Sequence, residues 1–308
     1  MRSAFALLFA WLLLPLAASG KPPQPPADII AVRDLNYAGT DEPRQTLDVY
    51  VPKIPPAKPL PLVVFIHGGG WEQGSKDQAG ILFPLIRDGA FIGAAINYRL
   101  TDKGPFPIQI YDCKAAIRWL RAHAKDYGID PDKIAVFGIS AGGHLVSLLG
   151  TSGDVKALEG TVGGNLESSS RVSCVVDFCG PGNFITFPGK GSAIDPEKPG
   201  TAIAKLLGGP MSQHLELAKQ ASPITYISKD DPPFLIIQGT KDPLVPYAQA
   251  EEFDQALNAA GVSATLLTGK DGGHVFVSEE LLRDIRLFLE KHLLGRPTEV
   301  HAGPVAIK

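Results

Sequence analysis

The sequence has few of the features that mark a disulfide scaffold or a nucleic-acid binder. It holds only three cysteines in 308 residues, and its net charge is −3. A disulfide-dense framework is therefore excluded, and no polybasic surface for nucleic acid is indicated. No internal repeat or long linker divides the chain. Hydrophobic residues make up 44% and charged residues 20%, a composition that favours a single soluble globular unit.

The three cysteines are predicted to be small core residues. Cys113 lies on the apolar side of a predicted helix, and Cys174 and Cys179 lie in or beside an apolar strand at 172–178. Five residues of extended strand span more than about 15 Å, so these two can pair only if the chain turns near Gly180. No histidine or asparagine accompanies any of the three, which argues against a catalytic cysteine. The sequence shows no metal-ligand cluster, so no metal or cofactor is expected.

Long apolar runs are scarce, and the one at residues 4–17 is typical of a targeting segment. Arg2 precedes it, and small residues at 17–20 offer a cleavage site. The run is shorter than the ~20 residues that a spanning helix needs, although an uncleaved anchor is the alternative. The cleavage region contains no cysteine, which argues against a lipidated N-terminus. We expect a signal peptide over residues 1–20 and a secreted or periplasmic protein with no stable membrane insertion after cleavage.

The sequence does have an alternation of apolar strands and helix-compatible segments. The predicted strands are 29–37, 46–51, 62–66, 91–97, 134–138, 172–178, 234–238 and 264–267, and the predicted helices are 78–87, 108–127, 143–149, 247–260 and 279–292. The first two strands suggest an antiparallel start, and the later ones suggest parallel strands with crossover helices. This order predicts an α/β fold with an eight-stranded, mostly parallel sheet and helices on both faces.

The most informative segment is Gly-Ile-Ser-Ala-Gly at 138–142, which connects a strand to a helix. It has the Gly-x-Ser-x-Gly pattern of a nucleophile elbow, a sharp turn that lifts the hydroxyl of Ser140 clear of the sheet. Gly138 and Gly142 suit this turn because side chains there would crowd it. The helix N-terminus behind Ser140 also places N–H groups near any anion that forms. The pentapeptide alone is a weak pattern, and its strand-to-helix context strengthens it.

Three further loops come after strands in an order that points to hydrolysis. The glycine-rich loop at 67–71 (His-Gly-Gly-Gly-Trp) can turn its N–H groups toward an oxyanion. Asp242 follows the strand at 234–238, and His274 follows the last strand. Ser140, Asp242 and His274 occur in the chain order of an α/β-hydrolase triad.

On these motifs the chain resembles α/β-hydrolases of the esterase and lipase group with an HGGG loop, and within it the BD-FAE-like carboxylesterases, named for a bifunctional feruloyl and acetyl-xylan esterase. The resemblance covers roughly residues 44 to 293. Further matching positions are Asn97-Tyr98-Arg99, Asp112, Ala116, Trp119-Leu120, Ala221-Ser222-Pro223-Ile224, Pro232-Pro233-Phe234-Leu235, Gly239-Thr240, Val245-Pro246 and Gly273. It implies a serine esterase that needs no cofactor or metal, with an oxyanion hole formed by the N–H groups of Gly69, Gly70 and Ala141.

The resemblance also implies a substrate class and a mechanism. His274 would take the proton of Ser140 while Asp242 orients the imidazole, and an acyl-enzyme would form. The expected substrates are small-molecule or polysaccharide-linked esters with short or aromatic acyl groups, such as acetyl or feruloyl. An amide hydrolase similar to kynurenine formamidases is an alternative that export disfavours. A noncatalytic hydrolase-fold binding protein is another, which the intact motifs disfavour.

Several other residues compete for roles in this site. His144 lies one helical turn after the serine, but in such hydrolases that position is usually structural. His67 resembles the family's histidine that braces the glycine-rich loop. Asp271 is an alternative orienting acid, although the sequence context favours Asp242. Trp71 is predicted to bind substrate as a wall of the acyl pocket, with core packing as the alternative.

The chain is thus predicted to divide into a signal peptide and three further parts. Residues 21–43 form a proline-rich lead-in with the first strand, 44–293 form the catalytic domain, and 294–308 form a loose tail. Within the domain, residues 183–226 follow the sixth strand and have no clear place in the sheet. They form either a small cap over the site or a surface excursion with one or two helices.

Overall fold

The protein folds around one central sheet, seen in a computed structural model that describes residues 22–301 and 304–305. The predicted signal peptide lies outside the described residues. The strands are β1 (Ile29–Asn36), β2 (Thr46–Pro52), β3 (Leu60–Ile66), β4 (Ile92–Ile96), β5 (Ile129–Ile139), β6 (Cys174–Phe178), β7 (Phe234–Gly239) and β8 (Ala264–Gly269). The α-helices are α1 (Phe83–Ile86), α2 (Ile108–Ala122), α3 (Ala124–Tyr127), α4 (Ala141–Thr151), α5 (Ala202–Leu207), α6 (Leu215–Ala221), α7 (Tyr247–Ala259) and α8 (Glu279–Leu294). Short 3-10 helices occupy Lys76–Leu82, Lys156–Leu158, Met211–Gln213 and Pro223–Tyr226.

The sheet has the strand order β1-β2-β4-β3-β5-β6-β7-β8. Strand β2 pairs antiparallel with both β1 and β4, and the remaining neighbours pair in parallel. The predicted fold class is therefore confirmed, including its antiparallel start. Because parallel strands end at the same edge of a sheet, the loops after β3, β5, β6, β7 and β8 meet there, where α/β proteins bind ligands.

Both faces of the sheet are covered by helices, which explains the continuous apolar runs of the strands. In β3, Leu62 and Val64 pack into one core with α2, α4 and α7, whereas Val63 and Phe65 pack into the other with α1 and α8. Successive side chains of the strand thus enter opposite cores, so neither face of the strand needs polar residues.

Residues 183–226 pack beside the carboxyl edge of the sheet. They contain α5 and α6, and Phe184 and Phe187 are fully buried. The N–H of Phe106 donates to the carbonyl of Leu206 at 2.8 Å, which ties α5 to the loop after β4. The Cβ of Ala202 would lie only 3.1 Å from a Cβ built at Gly70. Ala202 of this segment therefore lies against the glycine-rich loop, and the cap stays a prediction.

The prediction of a loose tail at 294–308 is wrong for some of its described residues. Helix α8 continues to Leu294 and ends at Gly295, whose φ of 66° suits a left-handed cap. Farther on, Val305 is fully buried and pairs in parallel with Gly269. Its N–H donates to the carbonyl of Thr268 at 2.9 Å. An apolar residue thus covers part of the exposed edge of β8.

The three cysteines are buried and free, as predicted for core residues. Cys174 and Cys179 stand at opposite ends of β6, Cys174 as its first residue and Cys179 directly after its last, so the extended strand keeps them apart. Among the described residues, no helix has the length and apolar character needed to span a bilayer.

Candidate active site

The predicted nucleophile stands on a strained turn between β5 and α4. Ser140 has φ 58° and ψ −118°, a conformation that residues with a Cβ rarely adopt. Its N–H donates to the carbonyl of Phe178 at 2.7 Å, which holds the turn against β6. A Cβ at Gly138 would overlap the carbonyl of Gly142, and a Cβ at Gly142 would overlap that of Ile66. Only glycine fits either position, so the motif is required by packing.

The structure brings Ser140, His274 and Asp242 together in a hydrogen-bonded chain. The Oγ of Ser140 lies 2.8 Å from Nε2 of His274, and Nδ1 of His274 lies 2.7 Å from Oδ2 of Asp242. A carboxylate only accepts hydrogen bonds, so Nδ1 carries the ring proton. The lone pair of Nε2 then faces the serine hydroxyl. This arrangement can remove a proton from Ser140.

The backbone and one amide fix the carboxylate of Asp242. Its Oδ1 accepts from the N–H groups of Leu244 at 2.8 Å and Val245 at 3.0 Å, and Oδ2 accepts from Nε2 of Gln238 at 2.7 Å. The rival acid, Asp271, is exposed and pairs with the side chain of Lys241 at 2.8 Å. The loop after β7 therefore places Asp242, and not Asp271, on the imidazole.

The glycine-rich loop lies directly against the elbow. A Cβ at Gly68 would come within 3.4 Å of the Cβ of Ser140. Gly69 and Gly70 have φ values of 107° and 60°, which only glycine adopts readily. Within the described chain, the N–H groups of Gly69, Gly70 and Ala141 donate no hydrogen bond. Most backbone N–H groups in a folded protein are paired, so these three are available to a ligand.

His67 braces this loop from below. Its ring is fully buried, Nδ1 donates to the carbonyl of Gly68 at 2.7 Å, and the imidazole stacks on Tyr98 with ring centroids 4.3 Å apart. The hydroxyl of Tyr98 donates to the carbonyl of His67 at 3.0 Å. Burial lowers the pKa of His67 to about 3, so the ring stays neutral and has a structural role.

His144 and Trp71 form a second buried contact beside the elbow. Nε2 of His144 donates to the carbonyl of Ala221 at 2.6 Å, and its Nδ1 accepts from the indole Nε1 of Trp71 at 3.2 Å. Burial lowers the pKa of His144 to about 4. Both ring nitrogens are occupied, so His144 cannot serve Ser140 as a base. Trp71 is 4% exposed and packs on Phe184; its role in the acyl pocket stays a prediction.

The structure adds one residue that the sequence did not assign to the site. Cys179 comes directly after β6, has φ 52°, and places its Sγ 3.9 Å from Nε2 of His274. Strands β5 and β6 pair Ile139 with Phe178, so Cys179 and Ser140 occupy equivalent positions. Burial, with Asp242 and Asp177 nearby, raises the pKa of the thiol, which is uncharged at neutral pH. The strand order, had it been known, would have revealed this residue.

A polar pocket lies beyond the glycine-rich loop. Its volume is about 510 Å³, and it is lined by Glu72, Gln73, Thr101, Asp102 and Lys205. The N–H groups of Glu72 and Gln73 both donate to the carbonyl of Gly69 at 3.1 Å, so the pocket shares its wall with the loop. The ammonium of Lys205 pairs with Glu72 at 2.5 Å. Donors and acceptors therefore surround a space that borders the glycine-rich loop.

Comparison with known proteins shows the family of this chain. The BD-FAE family model matches residues 47–257, which include the glycine-rich loop, the elbow and the aspartate. The chain belongs to the BD-FAE family. The predicted family resemblance is thereby confirmed, and the α/β-hydrolase fold agrees with it.

Relatives of this BD-FAE member include esterases of known sequence and structure. It is 33% identical to Esterase LipC of Mycobacterium tuberculosis over 72% of this chain and 54% of that protein. It is 36% identical to the probable carboxylic ester hydrolase LipM of the same organism over 63% of this chain and 44% of that protein. The chain thus spans about half the length of the curated relatives it matches.

Solved structures give the same picture. A truncated carbohydrate esterase from gut microbiota superposes with a TM-score of 0.81 at 31% identity, covering 88% of this chain and 99% of that one. A bifunctional GH43-CE protein of Bacteroides eggerthii has a TM-score of 0.78 at 33% identity, covering 85% of this chain and 35% of that one.

Proposed function

We propose that this chain is a secreted serine carboxylesterase that cleaves short-chain or aromatic acyl esters, such as acetyl or feruloyl groups on carbohydrates. One observation carries the proposal: the hydrogen-bonded chain from Ser140 through His274 to Asp242 stands beside three N–H groups that donate to no described residue. A nucleophile, a base and an oxyanion hole are the parts that acyl transfer needs.

The reaction begins at Ser140. Its Oγ attacks the ester carbonyl while Nε2 of His274 takes the hydroxyl proton, and the carboxylate of Asp242 stabilises the imidazolium. The tetrahedral intermediate collapses, and the imidazolium gives its proton to the departing alcohol. Water then attacks the acyl-enzyme with His274 again as base, which releases the acid and restores the serine.

The oxyanion would bind the N–H groups of Gly69, Gly70 and Ala141. Negative charge develops on the carbonyl oxygen only as the tetrahedral state forms, so donors held in place beforehand favour that state over the ground state. Losing one such donor typically costs on the order of 3 kcal/mol in the barrier. Gly69 and Gly70 both have positive φ, and their N–H groups donate to no described residue.

The polar pocket supports an alcohol that carries hydroxyl groups. Glu72, Asp102 and Lys205 offer charged acceptors and donors next to the glycine-rich loop, and such side chains bind sugar hydroxyls well. Two of the structurally similar proteins bear the description carbohydrate esterase or CE. The acetyl or feruloyl group would then contact Trp71, the predicted wall of the acyl pocket.

Export of the chain is part of the same proposal. Residues 1–20 have the charged start, apolar run and small residues of a signal peptide. N-terminal sequencing of the protein recovered outside the cytoplasm should begin near residue 21. Recovery of the full-length chain with Met1 intact would contradict cleavage.

The test measures ester hydrolysis by the purified protein with Ser140→Ala as control. We expect turnover of p-nitrophenyl esters that is highest for acetate and falls toward palmitate, with release of acetate from acetylated xylan or ferulate from methyl ferulate. The double variant Asp102→Asn, Lys205→Met should raise KM for acetylated xylan severalfold and leave that for p-nitrophenyl acetate nearly unchanged. Equal effects on KM for both substrates would show that the alcohol does not bind in this pocket. No turnover of any ester would overturn the proposal.

A further inference from the structure

Three side chains of the kinds that bind metal ions meet where β6, β7 and β8 end. Sγ of Cys179, a carboxylate oxygen of Asp242 and a ring nitrogen of His274 all lie within 4.8 Å of one another. Catalysis accounts for Asp242 and His274. It gives no role to Cys179, which sits at the carboxyl end of β6 in the position that corresponds to Ser140 on β5.

The distance between the thiol and the imidazole fits a bridging cation. Sγ of Cys179 lies 3.9 Å from Nε2 of His274. Zn²⁺ binds sulfur at about 2.3 Å and histidine nitrogen at about 2.0–2.1 Å. A tetrahedral angle at the metal would place the two atoms about 3.5 Å apart, and an angle near 130° would place them about 3.9 Å apart. Zn²⁺ therefore fits between them with a shift of a few tenths of an ångström.

The other side of the imidazole is already arranged as metal sites require. Nδ1 of His274 donates to Asp242 at 2.7 Å, and metal-bound histidines almost always donate their second N–H to a carboxylate or carbonyl. This contact fixes the tautomer and leaves the lone pair of Nε2 free. A catalytic Asp–His pair and a carboxylate–histidine–metal unit thus have the same geometry up to Nε2.

The local charge also favours a cation. The carboxylate of Asp242 has an oxygen within 4.8 Å of both proposed ligand atoms, Sγ of Cys179 and the ring nitrogen of His274, and it attracts a divalent cation. The bound cation displaces the thiol proton of Cys179 to solvent. Access is from the substrate side: the side chain of His274 is 17% exposed, although Cys179 itself is 1% exposed.

We propose that Cys179 and His274 form a binding site for a soft divalent cation, Zn²⁺ or Cd²⁺, which inhibits the esterase reversibly. Ser140 Oγ lies 2.8 Å from the same nitrogen, and one lone pair cannot serve both partners. The bound cation therefore breaks the Ser140–His274 hydrogen bond and removes the base, with water completing its coordination. The inhibition rests on the proposed function; the binding does not.

The experiment titrates the chelator-treated full chain with Cd²⁺ and follows the absorption of the thiolate-to-metal charge transfer. Cd²⁺ is the probe because the absorption reports a sulfur ligand, which surface histidines cannot supply. We expect one Cd²⁺ per chain with this signal, loss of p-nitrophenyl acetate hydrolysis at the same metal concentration, and recovery on addition of EDTA. Isothermal titration with Zn²⁺ should give the same stoichiometry.

Three variants decide the assignment of the ligands. Cys179→Ala should abolish the absorption and weaken metal inhibition, relative to its own metal-free rate, by about tenfold or more. Cys174→Ala, which changes the matched buried cysteine at the other end of β6, should retain both. Ser140→Ala should retain the absorption although it is inactive, which keeps binding measurable if the esterase proposal fails. A wild-type chain without the signal, a signal that persists in Cys179→Ala, or unchanged inhibition of that variant would overturn the site.

Discussion

Two turns of this molecule occupy equivalent positions at the ends of neighbouring strands and differ in chemistry. Ser140 comes directly after β5 and Cys179 directly after β6, at paired ends of neighbouring parallel strands. Both have positive φ, 58° and 52°, and both direct a nucleophilic atom at Nε2 of His274, from 2.8 Å and 3.9 Å. Proximity to the base therefore does not distinguish them.

The two turns differ in the residues that come after them. Ser140 opens directly into α4, whose first N–H belongs to Ala141. Cys179 continues into Gly180 and Pro181, which supply no helix N-terminus. Cys179 is also buried, and burial raises the pKa of its thiol, so the reactive thiolate is disfavoured. This turn therefore offers neither an activated nucleophile nor an oxyanion site. A nucleophile needs donors for the oxyanion of the tetrahedral intermediate as much as it needs a base.

Replacing each residue by alanine should separate the two turns most strongly. Ser140→Ala removes the attacking atom, and we expect kcat for p-nitrophenyl acetate to fall by about 10³-fold or more. Cys179→Ala should cost no more than about tenfold, since it removes only a contact 3.9 Å from the imidazole. Steady-state kinetics on both variants checks this, and comparable losses would assign Cys179 a part in the chemistry.

The carboxylate behind the shared histidine should have the next largest effect. Asp242→Asn keeps the shape of the side chain but no longer stabilises the imidazolium, so we expect kcat to fall by roughly 10²–10⁴-fold. Asp271→Asn is the control, because that side chain pairs with Lys241 at the surface, and its kcat should stay within about twofold of wild type. The opposite ranking of the two variants would move the orienting role to Asp271.

A buried carboxyl under the second turn should make stability depend on pH. Asp177 accepts from the hydroxyl of Ser147 at 2.7 Å and the N–H of Gly180 at 2.9 Å, yet burial raises its pKa from 3.8 to about 7. The folded chain then binds a proton that the unfolded chain has lost. The contribution of Asp177 to stability is full below about pH 4 and is lost as pH rises to about 7, by up to roughly 4 kcal/mol.

Urea unfolding of wild type and Asp177→Asn between pH 4.5 and 8 measures this contribution as a difference, which cancels the other titrating groups. The amide cannot ionise, so the variant should gain stability relative to wild type as pH rises. A difference that is constant over this pH range would show that Asp177 is ionised in the folded chain throughout.

The smallest effect concerns the contact that joins the two turns. A Cβ at Gly143 would overlap the carboxylate of Asp177 and come within 2.9 Å of the N of Gly180 and the carbonyl of Phe178. Gly143→Ala should therefore destabilise the fold by about 1–3 kcal/mol. Gly164→Ala, where a Cβ meets nothing within 4 Å, should change it by less than about 0.5 kcal/mol. Equal effects would show that α4 can move away from β6 freely.

The sequence predicted those parts of the molecule that are determined locally. Strands such as β5 are continuous apolar runs, and Ser140, Asp242 and His274 each come after a strand end, so their placement is set by one edge of one sheet. Cys179 was not predicted because its neighbour in space depends on the order of β5 and β6, which no local pattern encodes. Val305 was missed for a similar reason, since only the folded sheet shows which edge needs cover.

The polar pocket could not be predicted from the sequence either. Its lining comes from three segments of the chain, at residues 72–73, 101–102 and 205, which carry no shared motif. Each of these side chains alone is an ordinary surface residue. Their common environment arises only when α5 packs beside the glycine-rich loop.

The chain of contacts from Trp71 through His144 to the carbonyl of Ala221 has a kinetic consequence. It links the glycine-rich loop, the elbow helix and the segment at 183–226, so we expect the proposed oxyanion donors to be in place before any substrate arrives. No part of this region has to open on meeting a lipid surface. Velocity should accordingly rise hyperbolically with dissolved ester and show no jump when the ester passes its solubility limit and forms droplets.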